Sequence, residues 1–331
     1  MSRILVTGGA GMIGSNLVKK LKVIGHDVVV VDNLWRGNID NLKDNDEEYV
    51  IDIGKDFFAI DLSYQGSMDF LVKDIDYIIH LADIVAGIGY VFNNQSYLFR
   101  QNLLINTNVI NAVKNSSLKG FINVGTACSF PEFKQNTFDA YKFVEKDLYP
   151  AQPESAYGWS KLMGQYETEL LEKEFNISSV SLILHNVYGT PCDYSSEKSQ
   201  VIPSLIRKAV KYPDENFIVW GSGKQGRAFL HVDDAVNGIL LALDKGLGRG
   251  TIQLGPSECT SIKTIAELIV KISGKAINIV YDSSKPEGDK SRAADYTKAK
   301  TLLMWEPRIT LFDGLTQVYR WVKNKIEKTR K

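Results

Sequence analysis

The sequence predicts an α/β fold in which a doubly wound parallel sheet is followed by a smaller C-terminal α/β lobe. Three observations lead to this prediction. Short apolar runs alternate with helical periodicity up to about residue 190, glycines end the first of these runs, and prolines and glycines interrupt shorter elements beyond that point. We place the first unit at 1–190 and the second at 191–331, and leave open whether 226–245 returns to the first.

The N-terminus carries the pattern of a first βαβ unit. Residues 3–8 (RILVTG) form an apolar run that predicts a strand, and Met12–Leu21 has apolar residues at helical spacing. The β-branched run Val28–Val31 predicts a second strand, which stops at Asp32. Continuous apolar runs of this kind are typical of strands buried on both faces of a parallel sheet.

The alternation of strands and helices continues along the first unit. Strands are predicted at Tyr77–Leu81, Phe121–Gly125 and Ser178–Leu184, and helices at Asn102–Val113 and Ser160–Glu174. This order indicates right-handed crossovers within one sheet.

The elements predicted for the C-terminal lobe are shorter. Strands are predicted at 217–220 (FIVW), 251–255 (TIQLG) and 277–281 (INIVY), and helices at Asp233–Leu243 and Ile262–Ile272. We expect all three of these strands to belong to the lobe.

Composition excludes several classes of protein. Lys plus Arg and Asp plus Glu both number 39, so no net charge attracts nucleic acid or anionic lipid. Cys128, Cys192 and Cys259 are too few for a disulfide framework and lack CxxC spacing, so we expect no metal and a reducing, cytoplasmic location. No secretory signal and no apolar run of about 20 residues is visible, so we expect no membrane partner.

Three glycines between the first strand and the first helix predict a nucleotide site. Gly8, Gly11 and Gly14 allow a tight turn and a close approach of the backbone to a pyrophosphate at a helix N-terminus. Asp32 follows at the distance at which a carboxylate accepts ribose hydroxyls and repels a 2′-phosphate, which favours NAD over NADP. Arg36 weakens that preference, because an arginine there can also meet a phosphate. The pattern is that of a Rossmann-type dinucleotide-binding unit.

Further residues at predicted strand ends are expected to contact the cofactor. Asp61 and Leu62 suit the adenine edge, although Asp61 fits an ordinary strand-end cap equally well. The residues expected around NAD are Gly8, Gly11, Met12, Ile13, Asp32, Asn33, Arg36, Asp61, Leu62, Leu81, Ala82, Tyr157 and Lys161.

A tyrosine and a lysine form the motif Y-x-x-x-K. Tyr157 and Lys161 lie four residues apart, which places both side chains on one face of a helix. A phenol has an ordinary pKa near 10, so a neighbouring ammonium and a positive nicotinamide ring are needed to stabilise its phenolate near neutrality. Thr126 ends an earlier strand and supplies a hydroxyl that can share the reacting proton.

These residues make the chain similar to the extended short-chain dehydrogenase/reductase family that acts on nucleotide sugars. The blocks TGGAGMIGS, VVDNL, HLAD, YGWSK and RAFLHVDD carry the likeness, and GTACSFPEFKQ and PEGDKSRAAD resemble its GDP-mannose epimerase branch. The resemblance runs from about residue 3 to 327. It implies bound NAD, transient oxidation of the sugar at C4, enolisation toward C3 or C5, re-reduction, a GDP-sugar substrate and a homodimer formed through two long helices.

The resemblance also implies roles for individual residues. Tyr157 takes the proton of the C4 hydroxyl, and Cys128 is the base that enolises the ketone, although a cysteine near a strand end is as often a packing residue. Gln200 stands where the family has the lysine that acts as the proton donor, and a glutamine cannot deliver a proton. Lys198, His185 or a water molecule are the substitutes that we consider.

The same resemblance implies a set of substrate contacts. These are Ala86, Gly87, Asn186, Gln200, Lys208, Gln225, Arg227 and Arg292. Two arginines and a lysine can neutralise a diphosphate, although Lys208 equally suits a solvated helix face.

Three functions therefore stay open. The first is an NAD-dependent epimerase of a nucleotide-linked sugar, and the second is a C4 dehydrogenase or reductase that releases a 4-keto product. The third is a catalytically silent NAD-binding protein.

Overall fold

The computed structural model of the chain describes residues 1–114, 116–195 and 198–329. The strands in chain order are β1 (Arg3–Thr7), β2 (Asp27–Val31), β3 (Phe57–Phe58), β4 (Tyr77–His80), β5 (Gly120–Thr126), β6 (Lys142–Phe143), β7 (Ser179–Leu184), β8 (Asn186–Tyr188), β9 (Ile218–Trp220), β10 (Gly226–Arg227), β11 (Phe229–His231), β12 (Gly250–Leu254), β13 (Thr260–Ser261), β14 (Val280–Asp282) and β15 (Ala293–Ala294). The helices are α1 (Met12–Val23), α2 (Ile53–Asp56), α3 (Ile88–Asn93), α4 (Gln95–Val113), α5 (Ala156–Phe175), α6 (Val201–Lys211), α7 (Val232–Lys245), α8 (Ile262–Ser273), α9 (Thr297–Leu303) and α10 (Leu311–Thr329).

Seven strands form one parallel sheet in the order β3-β2-β1-β4-β5-β7-β12. The chain builds outward from β1 in one direction through β2 and β3, and then crosses back to build the other half from β4. This is the doubly wound, Rossmann-like topology, so the predicted fold class is confirmed. The reversal of strand order beside β1 leaves a crevice at the carboxyl ends of the strands, where such folds bind ligands.

Both faces of the sheet are covered, which explains why its strands are apolar at successive positions. In β1, Ile4 and Val6 belong to the cluster that includes α1 and α7, whereas Leu5 belongs to the opposite cluster with α4 and α5. Helix α7, from the segment whose placement was left open, therefore packs on the central sheet.

Strand β12 is the part of the prediction that is wrong. It was expected in the C-terminal lobe, but it pairs in parallel with β7, with Ile252 opposite Leu182, and closes one edge of the main sheet. Ile252 and Leu254 are fully buried in the same cluster as the strands of the first unit. The physical reason is that the open edge of β7 offers backbone partners that are distant in sequence, which no local pattern reports.

Helix α9 also packs with the first unit, since Ala299 and Leu303 belong to the cluster that contains α1 and α7. Three other C-terminal helices form a smaller layer. Helices α6, α8 and α10 pack together around β9, and Ile206, Ile265 and Val322 are fully buried in their shared cluster. Strand β14 extends β9 in parallel. Throughout the described ranges, every helix is too short or too polar to cross a lipid bilayer.

Candidate active site

A cavity of about 1260 Å³ opens beside the carboxyl ends of the central strands. Its lining runs from Gly8 and Asp32, through Thr126 and Tyr157, to Arg227 in the C-terminal part of the chain. Pockets for one small ligand usually measure about 300–1,000 Å³. The cavity therefore has room for a dinucleotide and a second ligand side by side.

The glycine loop at one end of this cavity requires its glycines. Gly8 has a φ of +69°, and a Cβ at Gly14 would lie 2.2 Å from the Gly8 carbonyl oxygen. Helix α1 begins directly behind the loop at Met12, with Gly11 as its N-cap. The N–H groups at the start of α1 therefore lie where a ligand can approach the backbone of the glycine loop closely. This arrangement fits a pyrophosphate.

Asp32 follows β2 at the same end of the cavity. Its Oδ2 accepts a hydrogen bond of 3.0 Å from the amide of Ala10, and its Oδ1 accepts one of 2.8 Å from the amide of Leu34. Burial raises the pKa of this carboxyl, and the two amides oppose that effect. Each carboxylate oxygen keeps a further lone pair, so the side chain can still accept ribose hydroxyls.

Two neighbouring residues have local partners of their own. Arg36 donates from Nη1 to the carbonyl oxygen of Val85 at 2.9 Å, which directs its charge to the protein backbone. Asp61 Oδ1 accepts from the amide of Ser63 at 2.9 Å, so it caps the turn after its strand and also lines the cavity. Six more of the residues expected around the cofactor line the cavity as well, namely Met12, Ile13, Asn33, Leu62, Leu81 and Ala82. Lys161 was also expected there, but it is buried behind the lining.

Tyr157 and Lys161 meet at a carboxylate that the sequence analysis did not single out. The Tyr157 hydroxyl donates to Oδ2 of Asp83 at 2.9 Å, and Lys161 Nζ lies 3.4 Å from the same oxygen. Burial first, and then the charge of Asp83, raise the pKa of Tyr157 well above its ordinary value. The expected stabilisation of the phenolate by Lys161 is therefore offset in this structure, because the lysine is paired with Asp83.

A sequence signal for Asp83 existed. It lies in the block HLAD, three residues after β4 ends, where the side chains that follow neighbouring parallel strands converge.

Thr126 ends the adjacent strand β5, and its Oγ1 accepts a hydrogen bond of 3.2 Å from the amide of Cys128.

Cys128 lies against an arginine. Its Sγ accepts a hydrogen bond of 3.3 Å from Nη2 of Arg292, whose Nη1 donates to Oδ2 of Asp289 at 3.0 Å. Arg292 also lies 3.4 Å from Oδ1 of Asn186 and 3.2 Å from Oε1 of Gln135. A guanidinium next to the sulfur stabilises negative charge on it. Among the described residues, Arg292 is the cation that hydrogen-bonds this cysteine.

The residues expected to bind a sugar nucleotide line the same cavity. Arg227 Nη1 donates to the carbonyl oxygens of Gly226 and Asp289, at 2.8 and 2.7 Å. Lys208 is partly buried and donates from Nζ to the carbonyl of Ile218 at 2.5 Å, so it does not lie on a solvated helix face. Burial lowers the pKa of this lysine.

Two polar atoms in this part of the lining lack protein partners. Gln225 Oε1 and Arg292 Nε are buried without a hydrogen bond in the part of the chain that the structure describes. Both residues line the cavity. Buried polar groups are normally paired, so unpaired atoms here are consistent with a site that a polar ligand completes.

A close backbone contact positions Gln200. The amide of Gly87 donates to the carbonyl of Lys198 at 3.2 Å, and a Cβ at Gly87 would lie 2.4 Å from the carbonyl oxygen of Ser199. Gln200 is the next residue, at the start of α6, and it lines the cavity together with Gly87 and Ala86.

The two side chains considered as substitutes for the missing lysine are otherwise engaged. Lys198 Nζ lies over the ring of Trp35, 4.4 Å from its centroid. His185 contacts Oε1 of Gln253 through Nε2 at 3.1 Å, and burial lowers its pKa to about 3. The imidazole is therefore neutral near neutral pH.

Glu154 is a second acidic residue that the sequence analysis missed. It lines the cavity and belongs to the loop before α5. A Cβ placed on Gly288 would lie 3.5 Å from Glu154 Oε1 and 3.3 Å from Nη2 of Arg227, so these groups surround one point. Burial and the neighbouring Asp289 raise the pKa of Glu154 to about 7, against the opposing charges of Arg292 and Arg227. Its position just before Y-x-x-x-K was the available signal.

Comparison with known proteins places this site in a family. Residues 4–255 match the model of the NAD dependent epimerase/dehydratase family. The chain is 31% identical over 328 residues to GDP-mannose 3,5-epimerase 1 of Oryza sativa subsp. indica, across 99% of this chain and 83% of that relative. The chain therefore belongs to the NAD dependent epimerase/dehydratase family.

Solved structures agree with this assignment. The UDP-glucose 4-epimerase of Thermotoga maritima, solved with UDP-glucose, superposes with a TM-score of 0.85 at 27% identity over 99% of this chain and 100% of that one. The UDP-glucuronic acid 4-epimerase of Bacillus cereus, solved with NAD, gives 0.79 at 28% identity over 97% and 96%. NAD is the cofactor of the family, and the glycine loop and Asp32 fit it.

Proposed function

We propose that the protein is an NAD-dependent epimerase of a nucleotide-linked sugar, with a GDP-linked, manno-configured sugar as its substrate. The observation that carries this proposal is that the Tyr157 hydroxyl and the Cys128 thiol line one cavity together with the glycine loop. A redox base and an enolising base are thus available to one bound sugar. The GDP-mannose 3,5-epimerase relative supports the choice of nucleotide and sugar.

The glycine loop, helix α1 and Asp32 hold the dinucleotide in this proposal. Bound NAD supplies the group that accepts a hydride from C4 of the sugar and later returns it. Tyr157 takes the proton of the C4 hydroxyl. It does so as the phenolate, and the Asp83 carboxylate, 2.9 Å from the phenolic oxygen and 3.4 Å from Lys161, sets the pH at which that phenolate forms.

Cys128 acts on the carbon next to the C4 ketone. A hydrogen beside a carbonyl is acidic, so a thiolate within reach can remove it and form an enolate. The 3.3 Å hydrogen bond from Arg292 supplies positive charge at the sulfur. Arg292 thereby serves the reacting sugar, while Arg227 and Lys208 are left to face the diphosphate.

The proposed function is tested by incubation with GDP-mannose and with UDP-linked hexoses in deuterated water, with products identified by NMR. We expect deuterium at C3 or C5 of the GDP-sugar, a new epimer, and no net change in NAD. Stoichiometric formation of NADH with a 4-keto product would instead establish the dehydrogenase alternative. Absence of any conversion or label with every sugar would contradict the proposal.

A further inference from the structure

Inversion of a carbon next to a ketone needs two groups. A base removes the proton from one face, and an acid must supply a proton to the other face, because return of the same proton restores the starting configuration. Under the proposed function, on which this inference rests, Cys128 is the base. The structure leaves the acid to be identified, since Gln200 carries no proton that it can give.

The cavity lining offers few acids that are free for this task. Asp83 is bound to Tyr157 and Lys161, and Asp32 accepts two backbone amides at the opposite end of the cavity. Glu287 accepts a hydrogen bond from the amide of Ser222.

Two further groups are unsuitable for other reasons. His185 is neutral near neutral pH, because burial lowers its pKa to about 3. Lys208 is bound to a backbone carbonyl.

The other lining carboxyls, Asp40, Asp61 and Asp193, pair with Lys43 and with the amides of Ser63 and Ser195. Among the described residues, Glu154 is the lining carboxyl that faces another acid, Asp289.

Glu154 is connected to the thiol through one ion pair. The guanidinium of Arg292 lies with Nη2 at 3.3 Å from Cys128 Sγ and with Nη1 at 3.0 Å from Asp289 Oδ2. Glu154 neighbours Asp289 and shares the cavity with the thiol. The thiol contacts the arginine of this pair and Glu154 faces its aspartate, so the two groups reach the cavity from different members of the pair.

The surroundings of Glu154 raise its pKa, so that part of the population carries a proton near neutral pH. The charged groups that face it are Asp289, Arg292 and Arg227, and burial and the acidic neighbour outweigh the two arginines. Its pKa is raised to about 7, so the protonated and ionised forms are both populated near neutrality. A group poised in this way can both donate and recover a proton within each turnover.

We propose that Glu154 is the acid that protonates the enolised carbon from the face opposite Cys128. The Cys128 thiolate removes the C–H proton and becomes a thiol, while the electron pair of that bond forms an enolate on the C4 oxygen. The Glu154 carboxyl then gives its proton to the carbon and becomes a carboxylate, and the enolate returns to the ketone with inverted configuration. One proton moves to the sulfur and one leaves the carboxyl. Proton exchange with solvent then returns the thiol to the thiolate and the carboxylate to the carboxylic acid.

The test is the Glu154→Gln variant with GDP-mannose in deuterated water, with Glu174→Gln as the matched control on the exposed end of α5. We expect Glu154→Gln to retain transient reduction of NAD and to exchange deuterium into recovered substrate, because Cys128 still removes and returns a proton. Formation of the epimer should fall by on the order of 10²-fold or more. Glu154→Asp should recover part of it, and Glu174→Gln should match the wild type.

The possible outcomes separate this inference from the proposed function. Exchange without inversion in Glu154→Gln supports it, while inversion at the wild-type rate contradicts it, as does equal loss of exchange and inversion. Cys128→Ala should lose both exchange and inversion, which identifies the thiol as the base. Wild-type protein that neither exchanges nor inverts contradicts the proposed function itself.

The ratio of inversion to exchange in the wild type gives a second test that does not depend on a folded variant. Only protonated Glu154 can invert the centre, so the ratio should fall as pH rises through about 7. A ratio that stays constant across that range contradicts the inference.

Discussion

The hydroxyl of Tyr157 donates a 2.9 Å hydrogen bond to Asp83, a residue 74 positions earlier in the chain. The same carboxylate oxygen lies 3.4 Å from Lys161. Asp83 thus binds both members of the Y-x-x-x-K motif, and its negative charge favours the protonated phenol. The pair acts as one unit, in which the phenol meets the substrate and the carboxylate sets the pH at which the phenol loses its proton.

We predict that Asp83→Ala moves the acid limb of NAD reduction to lower pH, by about 1–3 pH units. The charge of Asp83 raises the pKa of Tyr157, so its removal lowers that pKa and populates the phenolate at lower pH. Lys161 is also released to stabilise the phenolate. Pre-steady-state reduction of bound NAD, measured against pH, checks this shift. Asp69→Ala, on an exposed turn, is the control, and an unchanged or raised acid limb contradicts the role given to Asp83.

Replacement of Tyr157 by Phe should reduce C4 oxidation by on the order of 10²–10⁴-fold. The phenolic oxygen is the group that takes the substrate proton, and the substitution removes that atom alone. Affinity for NAD should remain close to that of the wild type, because the glycine loop and Asp32 bind the cofactor. Stopped-flow absorbance and calorimetric titration with NAD report the two quantities. Turnover near the wild-type level would remove the tyrosine from the mechanism.

The features that could be predicted from the sequence are those whose residues lie close together in the chain. The Gly8 to Gly14 loop and the i, i+4 pair Tyr157 and Lys161 each lie within one turn or one helix, so local patterns report them. Asp83 in HLAD and Glu154 just before Y-x-x-x-K had only a position in the sequence to mark them, because a lone acid in a loop has no periodicity. Their contacts depend on packing between distant segments, which local patterns do not report.

The error at β12 has the same origin. Its apolar residues predicted a strand, and a strand is found. Its partner β7 lies far away in sequence, and pairing of that kind depends on the open edge of a sheet that the first unit builds. Local pattern therefore predicts the element and not its place.

Asp32→Asn should relax the preference for NAD over NADP. The carboxylate repels a 2′-phosphate and accepts ribose hydroxyls, whereas the amide carries no charge and keeps one acceptor oxygen for the local backbone. We expect NAD affinity to fall by roughly tenfold, as for loss of a hydrogen bond to a charged group, while binding of NADP improves. Titration with both dinucleotides measures the change. Preserved discrimination would show that another residue selects the cofactor.

We expect a homodimer that forms through α4 and α5. These helices pack closely, because a Cβ at Gly164 would come within 2.6 Å of the Asn106 side chain, and they leave Tyr97, Leu104 and Tyr166 exposed by 40–48%. Leu104→Glu combined with Tyr166→Glu should yield a monomer by light scattering, because each change buries a charge in the interface.

Val23→Glu changes an exposed apolar residue at the end of α1 and serves as the control for that experiment. It should leave the assembly unchanged. A wild-type protein that is monomeric at micromolar concentration contradicts the expected dimer, and so does a double variant that remains dimeric.

The central claim is that C4 of the sugar is oxidised and reduced again on the same molecule. The direct measurement uses GDP-mannose that carries deuterium at C4, in ordinary water, with the product analysed by NMR and mass spectrometry. The account predicts that the epimer retains the C4 deuterium, while hydrogen from solvent enters at C3 or C5. Loss of the C4 deuterium to solvent during epimerisation would contradict it.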